Sequence, residues 1–343
     1  MLICLYDNFQ PLPRDVIKVP HVGNLNKMLY GSTILKDVGY KMINNTHSAV
    51  TTSPFELGNG RAYAAWREQK LSSFPTCVDE LIVEVANPLQ LTGAECEALR
   101  QACGRANMAV YVTKPREDDD TPETSLVAGI GRQFGLHRLD QNLYAEDNGI
   151  SALQVSAQPR QHDYIPYSRR AISWHTDGYY NPPERNVHGM VLHCVRPAAQ
   201  GGENALMDHE MLYLQIRDEN PDYIAALMQD DVMTIPANVE DGVEIRPEQT
   251  GPVFSVSRGH LHMRYTARTR SIVWKADPGT QAAVECLKRL LTEDSPYCFK
   301  KRFAAGEGII SNNVLHTRTA FEDDSDNSPG RLVYRARYYD RVE

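Results

Sequence analysis

The chain has 343 residues, 42% hydrophobic and 23% charged, with a formal net charge of −8. That is ordinary globular composition, enough for a sizeable core in one large or two modest domains. The acidic balance argues against a nucleic-acid partner, whose binding surface would be basic.

Seven cysteines lie at 4, 77, 96, 103, 194, 286 and 298, with no C-x-x-C among them. Neither a disulfide framework nor a zinc knuckle is expected, and a reducing compartment fits. Residues 1–6 are apolar but lack the basic flank of a secretory signal, and no run approaches a membrane span. A cytoplasmic protein with no membrane partner is expected, and a homo-oligomer remains open.

Taken in chain order, residues 1–75 carry little periodic signal and read as an N-terminal lead-in packed on a main domain spanning 76–343. A helix is predicted over 62–71 and a strand over 79–85. Thr92 followed by Glu95 has the form of a capping box. Leu99, Ala102, Cys103 and Ala106 then recur at helical spacing. Residues 108–113 read as a strand, 114–125 as a polar loop and 126–136 as a helix.

Residues 187–195 alternate as a half-buried strand does, and Gly201-Gly202 forces a turn before a strand at 204–207. Asp208 can cap a helix to about 217. Asn220-Pro221 and Asp277-Pro278 are caps with proline at the first helical position. Strands are expected at 232–235, 253–256, 261–265, 308–311 and 331–339. The acidic runs 117–120 and 322–324 read as solvated loops. No Gly-rich strand-to-helix turn supports a dinucleotide fold. Many short strands flanked by helices suit a double-sheet jelly roll: an α+β, mainly β fold with flanking helices.

Chemistry concentrates at Trp174-His175-Thr176-Asp177-Gly178-Tyr179-Tyr180 and, far downstream, at His316 and Arg331 to Arg335. In an extended segment His175 and Asp177 project to one side. With His316 they make two imidazoles and a carboxylate, the ligand set of non-haem Fe(II) oxygenases. His175 and Asp177 alone would read equally well as a hydrogen-bonded pair at a strand end. Trp174, Tyr179 and Tyr180 either line a substrate pocket or pack. His260 and His262 read as structural or exposed, and Asp208-His209-Glu210 as a helix start.

These segments, with Gly201-Gly202-Glu203-Asn204 and the stretch Asn313-Val314-Leu315-His316-Thr317-Arg318-Thr319-Ala320-Phe321, resemble the Fe(II)- and 2-oxoglutarate-dependent dioxygenases of the taurine dioxygenase (TauD/TfdA) superfamily. The His-Thr-Arg-Thr-Ala-Phe piece is similar to the γ-butyrobetaine hydroxylase-like branch. That branch's N-terminal zinc module has no counterpart in residues 1–75.

The resemblance implies a double-stranded β-helix core, with His175, Asp177 and His316 holding Fe(II). It assigns Arg331 and, secondarily, Asn204 to the cosubstrate 2-oxoglutarate. Arg331 and Arg335, on one strand, would point the same way about 13 Å apart at ~3.3 Å per residue. Arg335 is then expected to meet the substrate's anionic group, beside Tyr179, Tyr180 and Trp174. The implied reaction uses O2, releases succinate and CO2, and oxidises a small polar or anionic molecule such as an amino acid, carboxylate or sulfonate. A zinc-dependent hydrolase or isomerase, or a non-catalytic jelly-roll protein, is the alternative. The two arginines speak against the hydrolase, which needs no dicarboxylate anchor.

Overall fold

The computed structural model describes residues 53–114, 122–141, 149–156, 164–324 and 329–343. The acidic run at 117–120 and most of the lead-in lie outside them. Helix α1, Gly60–Ser73, opens on Asn59, whose side chain accepts from the Ala62 amide. Residues 79–81, expected as strand, form instead the 3-10 turn Val78–Leu81, and β1 is only Ile82–Glu84. Glu80 spends its carboxylate on the Thr76 amide and hydroxyl, which folds the chain back there. Helix α2, Gly93–Ala106, has the full capping box: Thr92 accepts from the Glu95 amide and Glu95 reaches back. It ends on Asn107 at φ 56°, and β2, Met108–Val112, follows. Helix α3, Glu123–Arg132, starts before the predicted 126 because its first turn is polar and shows no periodicity.

Among the described residues ten strands build two main sheets. After β2 come β3 (Ser151–Leu153), β4 (Ile172–His175), β5 (Gly189–Arg196), β6 (Asn204–Met207), β7 (Cys298–Lys301), β8 (Glu307–Ser311), β9 (Leu315–Arg318) and β10 (Leu332–Tyr338). The six-stranded sheet runs β1-β2-β8-β5-β10-β3 and the four-stranded sheet β7-β6-β9-β4. Within these sheets only β1 with β2 is parallel. Strand β5 does not alternate as expected. Residues 189–194 are all buried, because the strand is central and α3 packs on it.

Three helices cover the other side: α4 (His209–Glu219), α5 (Pro221–Leu227) and α6 (Pro278–Thr292). Asp208, Asn220 and Asp277 cap them as the sequence predicts. One core joins the six-stranded sheet to α2 and α3 and includes Leu206 and Val314. The second core lies under α4, α5 and α6 and includes Met207 and Leu315. Neighbours along a strand face opposite ways, so the four-stranded sheet divides the two cores.

Between α1 and α4 lies a buried charge network. Lys70 Nζ is 2.6 Å from Asp208 Oδ2 and 2.7 Å from Glu210 Oε2, and Asn107 donates to Asp208 Oδ1 at 2.9 Å. The sequence Asp208-His209-Glu210 is therefore a helix start that also receives α1. Removing one member of a buried ion network strands the others without compensation, typically costing about 3–5 kcal/mol. Lys70→Ala is expected to lose that much stability in urea titration. A loss below about 1 kcal/mol would place this network with weak surface pairs.

A candidate metal centre between two sheets

The register of β9 sets the site. His316 stands opposite His175 of β4 on one side and Leu206 of β6 on the other, while Leu315 stands opposite Met207. Cross-strand partners share a face. Both histidines therefore lie with Leu206 on the face turned to the six-stranded sheet, and Leu315 lies under the helices. Their rings are 4.2 Å apart, centroid to centroid. Asp177 follows two residues after His175, its Oδ1 3.8 Å from His175 Nε2. One ligand atom from each of His175, Asp177 and His316 lies within 4.8 Å of the others, and all three residues are buried.

The protonation states suit a cation. Nδ1 of His175 lies 3.0 Å from the Ser173 carbonyl oxygen and Nδ1 of His316 2.9 Å from that of Val314. Each Nδ1–H donates there, which leaves each Nε2 lone pair directed elsewhere. Burial, reinforced by His316, pushes His175 down to about 3, and burial lowers His316 as well. Burial works against ionisation of Asp177, yet Arg335 and then Arg337 hold its carboxyl well below the usual range. The site is two neutral imidazoles and one carboxylate. Among the described residues Asp177 Oδ2 is buried with no hydrogen-bond partner, which leaves it open to an ion.

Two residues hold Asp177 directly, and Arg337 adds positive charge nearby. Arg335 Nη1 donates to its Oδ1 at 3.0 Å. Asn313, at φ 53°, accepts from the Asp177 amide at 2.8 Å and donates to its carbonyl at 2.9 Å. Arg337 is fully buried, ion-paired to Asp140, and donates to Tyr180 Oη at 2.8 Å. Sequence reasoning gave no role to Asn313 or Arg337. The period-two argument that pairs Arg331 with Arg335 also reaches Arg337.

Arg331 lies elsewhere, one residue before β10 and next to a register shift against β5. The guanidinium sits over the Phe321 ring at 5.2 Å, and the backbone amide donates to Asp323 Oδ1 at 2.9 Å. Asp323, expected as a solvated loop residue, is an internal acceptor. Arg331, Asn204 and Gly202 line one small cavity together with Cys194, Arg302 and Val333. Gly201 and Gly202 both take positive φ, 70° and 71°. A Cβ at 201 would overlap the Ala320 carbonyl, so this turn needs glycine there. Burial lowers Arg331, and no carboxylate forms an ion pair with it among the described residues. Arg318, pushed down to about 9 by burial and then by Arg331, lies over the same Phe321 ring at 4.8 Å. Among the described residues the Asn204 side-chain amide makes only long bonds, 3.4 Å each, to the Gly202 and Lys301 carbonyls.

The aromatic candidates separate. Trp174 adjoins His175 on β4 and so faces the other way. Its indole N–H donates to the Leu291 carbonyl of α6 at 2.9 Å, so it packs rather than lining the site. Tyr179 and Tyr180 meet edge to face at 5.1 Å against the second core, with Tyr180 Oη turned to Arg337. His262 is buried against His188, and His260 is exposed.

Two histidines and a carboxylate on one sheet face, with a separate buried guanidinium, define the class of mononuclear non-haem metal proteins. Residues 87–337 match the family described as taurine catabolism dioxygenase TauD, TfdA family, and the chain belongs to that family. A uridine-5'-phosphate dioxygenase of Amycolatopsis sp is 30% identical over 171 residues, 48% of this chain and 60% of that protein. The match thus spans less than two thirds of that relative's length. A uridine-5'-phosphate dioxygenase of Streptomyces sp is 27% identical over 221 residues, 61% of this chain and 77% of that protein.

Among solved structures, the non-heme iron oxygenase OrfP in complex with Fe, succinate and (3S)-hydroxy-L-Arg shares the fold. Its TM-score is 0.53 at 14% identity, covering 73% of this chain and 82% of that one. A putative alpha-ketoglutarate-dependent taurine dioxygenase from Burkholderia xenovorans has a TM-score of 0.51 at 16% identity, covering 77% and 88%. Among the described residues no helix is long and apolar enough to cross a membrane.

Proposed function

We propose that the chain is an Fe(II)- and 2-oxoglutarate-dependent dioxygenase that oxidises a small anionic molecule. The observation that carries this reading is the buried trio of His175, Asp177 and His316, with both Nδ1 protons committed to carbonyls and Asp177 Oδ2 orphaned. The two facing sheets are then the walls of a double-stranded β-helix. Residues 1–75 are the lead-in to a catalytic domain over 76–343.

His175, Asp177 and His316 would hold Fe(II), which supplies the oxygen chemistry that side chains cannot. Arg331 would take the distal carboxylate of 2-oxoglutarate through its planar fork, with Asn204 as a second donor. Arg335 and Arg337 keep Asp177 ionised, and Asn313 fixes its backbone. Phe321 covers Arg331 and keeps water from the carboxylate's pocket. Tyr179 and Tyr180 flank the substrate position. The names of the Amycolatopsis and Streptomyces relatives make a phosphorylated nucleoside the first compound to test.

The experiment is succinate release with Fe(II), 2-oxoglutarate and O2 against uridine 5'-phosphate and a panel of small amino and sulfonic acids. One compound should raise both O2 uptake and succinate release well above the substrate-free rate. Equal rates with and without every compound would reject this panel. Failure to bind iron or 2-oxoglutarate would reject the reading itself.

A further inference from the structure

The ion pair of Arg337 with Asp140 lies out of water, at 2% and 1% exposure. Asp140 stands beside β10, where its amide donates to the Arg337 carbonyl at 2.8 Å and its Oδ2 accepts from Arg337 Nη2. Asp140 Oδ1 accepts from Tyr339 Oη at 2.7 Å and from Arg185 Nη2 at 3.3 Å. The other terminal nitrogen of Arg337, Nη1, donates to Tyr180 Oη at 2.8 Å. Both tips of the guanidinium fork are therefore committed to partners other than Asp177.

The strand nevertheless brings Arg337 to the metal face. Residues 335 and 337 of β10 project to one side, about 7 Å apart at ~3.3 Å per residue. The register shift of β10 lies earlier, between Leu332 and Val333, so this alternation is regular. Arg335 already reaches Asp177 Oδ1 at 3.0 Å. Tyr180, which Arg337 holds, lies three residues after Asp177, in the turn closed by the Asn181 amide on the Gly178 carbonyl. Among the described residues Asp177 Oδ2 and Arg337 Nε are both buried without a hydrogen-bond partner. Carboxylate and guanidinium form strong charge-assisted bonds when they are free to meet. Here each keeps an orphaned atom while Arg337 is turned to Asp140.

We propose that Asp140 is a positioning residue of the metal centre: with Tyr180 it holds Arg337 off Asp177 Oδ2 and so leaves that oxygen to the metal ion. Stability alone does not call for the pair. Desolvating two charges costs about as much as their attraction returns, and apolar side chains of similar volume often serve a fold as well. Placement does call for it. Arg335 takes Oδ1 of Asp177 and leaves Oδ2 open. A second arginine released onto Oδ2 would compete with a cation for the same lone pairs. The proposal deepens the dioxygenase reading and rests on it for the identity of the ion.

The test is anaerobic Fe(II) titration, with thermal melts of the metal-free proteins, on the wild type, Asp140→Ala and the double variant Asp140→Ala with Arg337→Met. Alanine removes the acceptor and frees Arg337. Asp140→Ala should bind Fe(II) about tenfold or more weaker, as when a partner of a metal ligand is lost. The double variant should return to within a few-fold of the wild type, because no guanidinium is left to take Oδ2. A residue that only supports the fold would give the opposite order, since the double variant loses more contacts than the single one.

The proposal is overturned if Asp140→Ala keeps wild-type iron affinity, or if the double variant binds iron as weakly as the single one. Should Asp140→Ala not fold, the double variant decides alone, and a tenfold loss of iron affinity in it overturns the proposal. A double variant that does not fold overturns it as well, since the pair would then be structural. A wild type that binds no Fe(II) sinks the dioxygenase reading and the proposal with it. A wild type that binds Fe(II) while the variants break this order sinks only the role of Asp140.

Discussion

His316→Ala should abolish tight Fe(II) binding and with it all substrate-dependent succinate release. His316 sits on a central strand of its sheet, between His175 and Leu206, and its ring packs on His175 at 4.2 Å. Losing an outer-shell partner of a metal ligand already costs 10–100-fold in metal affinity. Losing a ligand itself should exceed that, on the order of a hundredfold or more. The fold should survive. The alanine forfeits one hydrogen bond to the Val314 carbonyl, worth about 1 kcal/mol, and the strand register stays. Iron affinity by anaerobic titration and the circular-dichroism melt separate these effects. A folded His316→Ala with wild-type iron affinity and turnover would refute the three-ligand assignment. His175→Ala should behave alike. Asn313→Ala should lower iron affinity less, since it removes only the ties to the Asp177 main chain and to the Val187 carbonyl.

How much of this was legible in the sequence depends on where the information is local. The helix starts at Thr92, Asp208, Asn220 and Asp277 were readable because a cap is a single side chain bonded within three residues of itself. The start of α3 was not, because its first turn carries only polar residues. The hairpin of strands Asn238–Glu240 and Val243–Arg246 was missed for a different reason. Its apolar residues Val239, Val243 and Ile245 are exposed, so they follow no core. The turn at Asp241-Gly242, both at positive φ, was the available signal.

At the site, spacing brought His175, Asp177 and His316 forward together. The roles of the arginines did not follow from spacing, because a guanidinium reaches several ångströms and its partner comes from another sheet. Arg335 was read as facing substrate, yet it bonds Asp177. For Trp174 pocket lining and packing stood equal, and strand alternation, which turns its indole to α6, favours packing.

The two arginines give the sharpest contrast in mutant behaviour. Arg331 is a buried cation whose guanidinium makes no ion pair among the described residues, with Asp323 the nearby acid, and it lies beside Asn204 and Gly202 in a small cavity. A 2-oxoglutarate carboxylate there would complete a desolvated, hydrogen-bonded charge pair. Truncating one side of such a pair typically costs about 2–5 kcal/mol. At ~1.4 kcal/mol per tenfold, Arg331→Ala should weaken 2-oxoglutarate on the order of thirtyfold or more. Arg331→Lys should recover only part, because an ammonium lacks the planar fork. Iron affinity should barely change, since Arg331 does not contact the three ligand residues.

Arg335→Ala should do the reverse. It strips the hydrogen bond from Asp177 Oδ1, a partner of a metal ligand, so iron affinity should fall about 10–100-fold. At saturating iron, 2-oxoglutarate affinity should stay within a few-fold. Anaerobic titration of Fe(II), then of 2-oxoglutarate into the iron-loaded protein, reads both quantities in each variant. The assignment fails if Arg331→Ala keeps its 2-oxoglutarate affinity, or if Arg335→Ala loses as much of it as Arg331→Ala does. It fails equally if Arg335→Ala binds iron as the wild type does, for then the bond to Asp177 does not support the metal site.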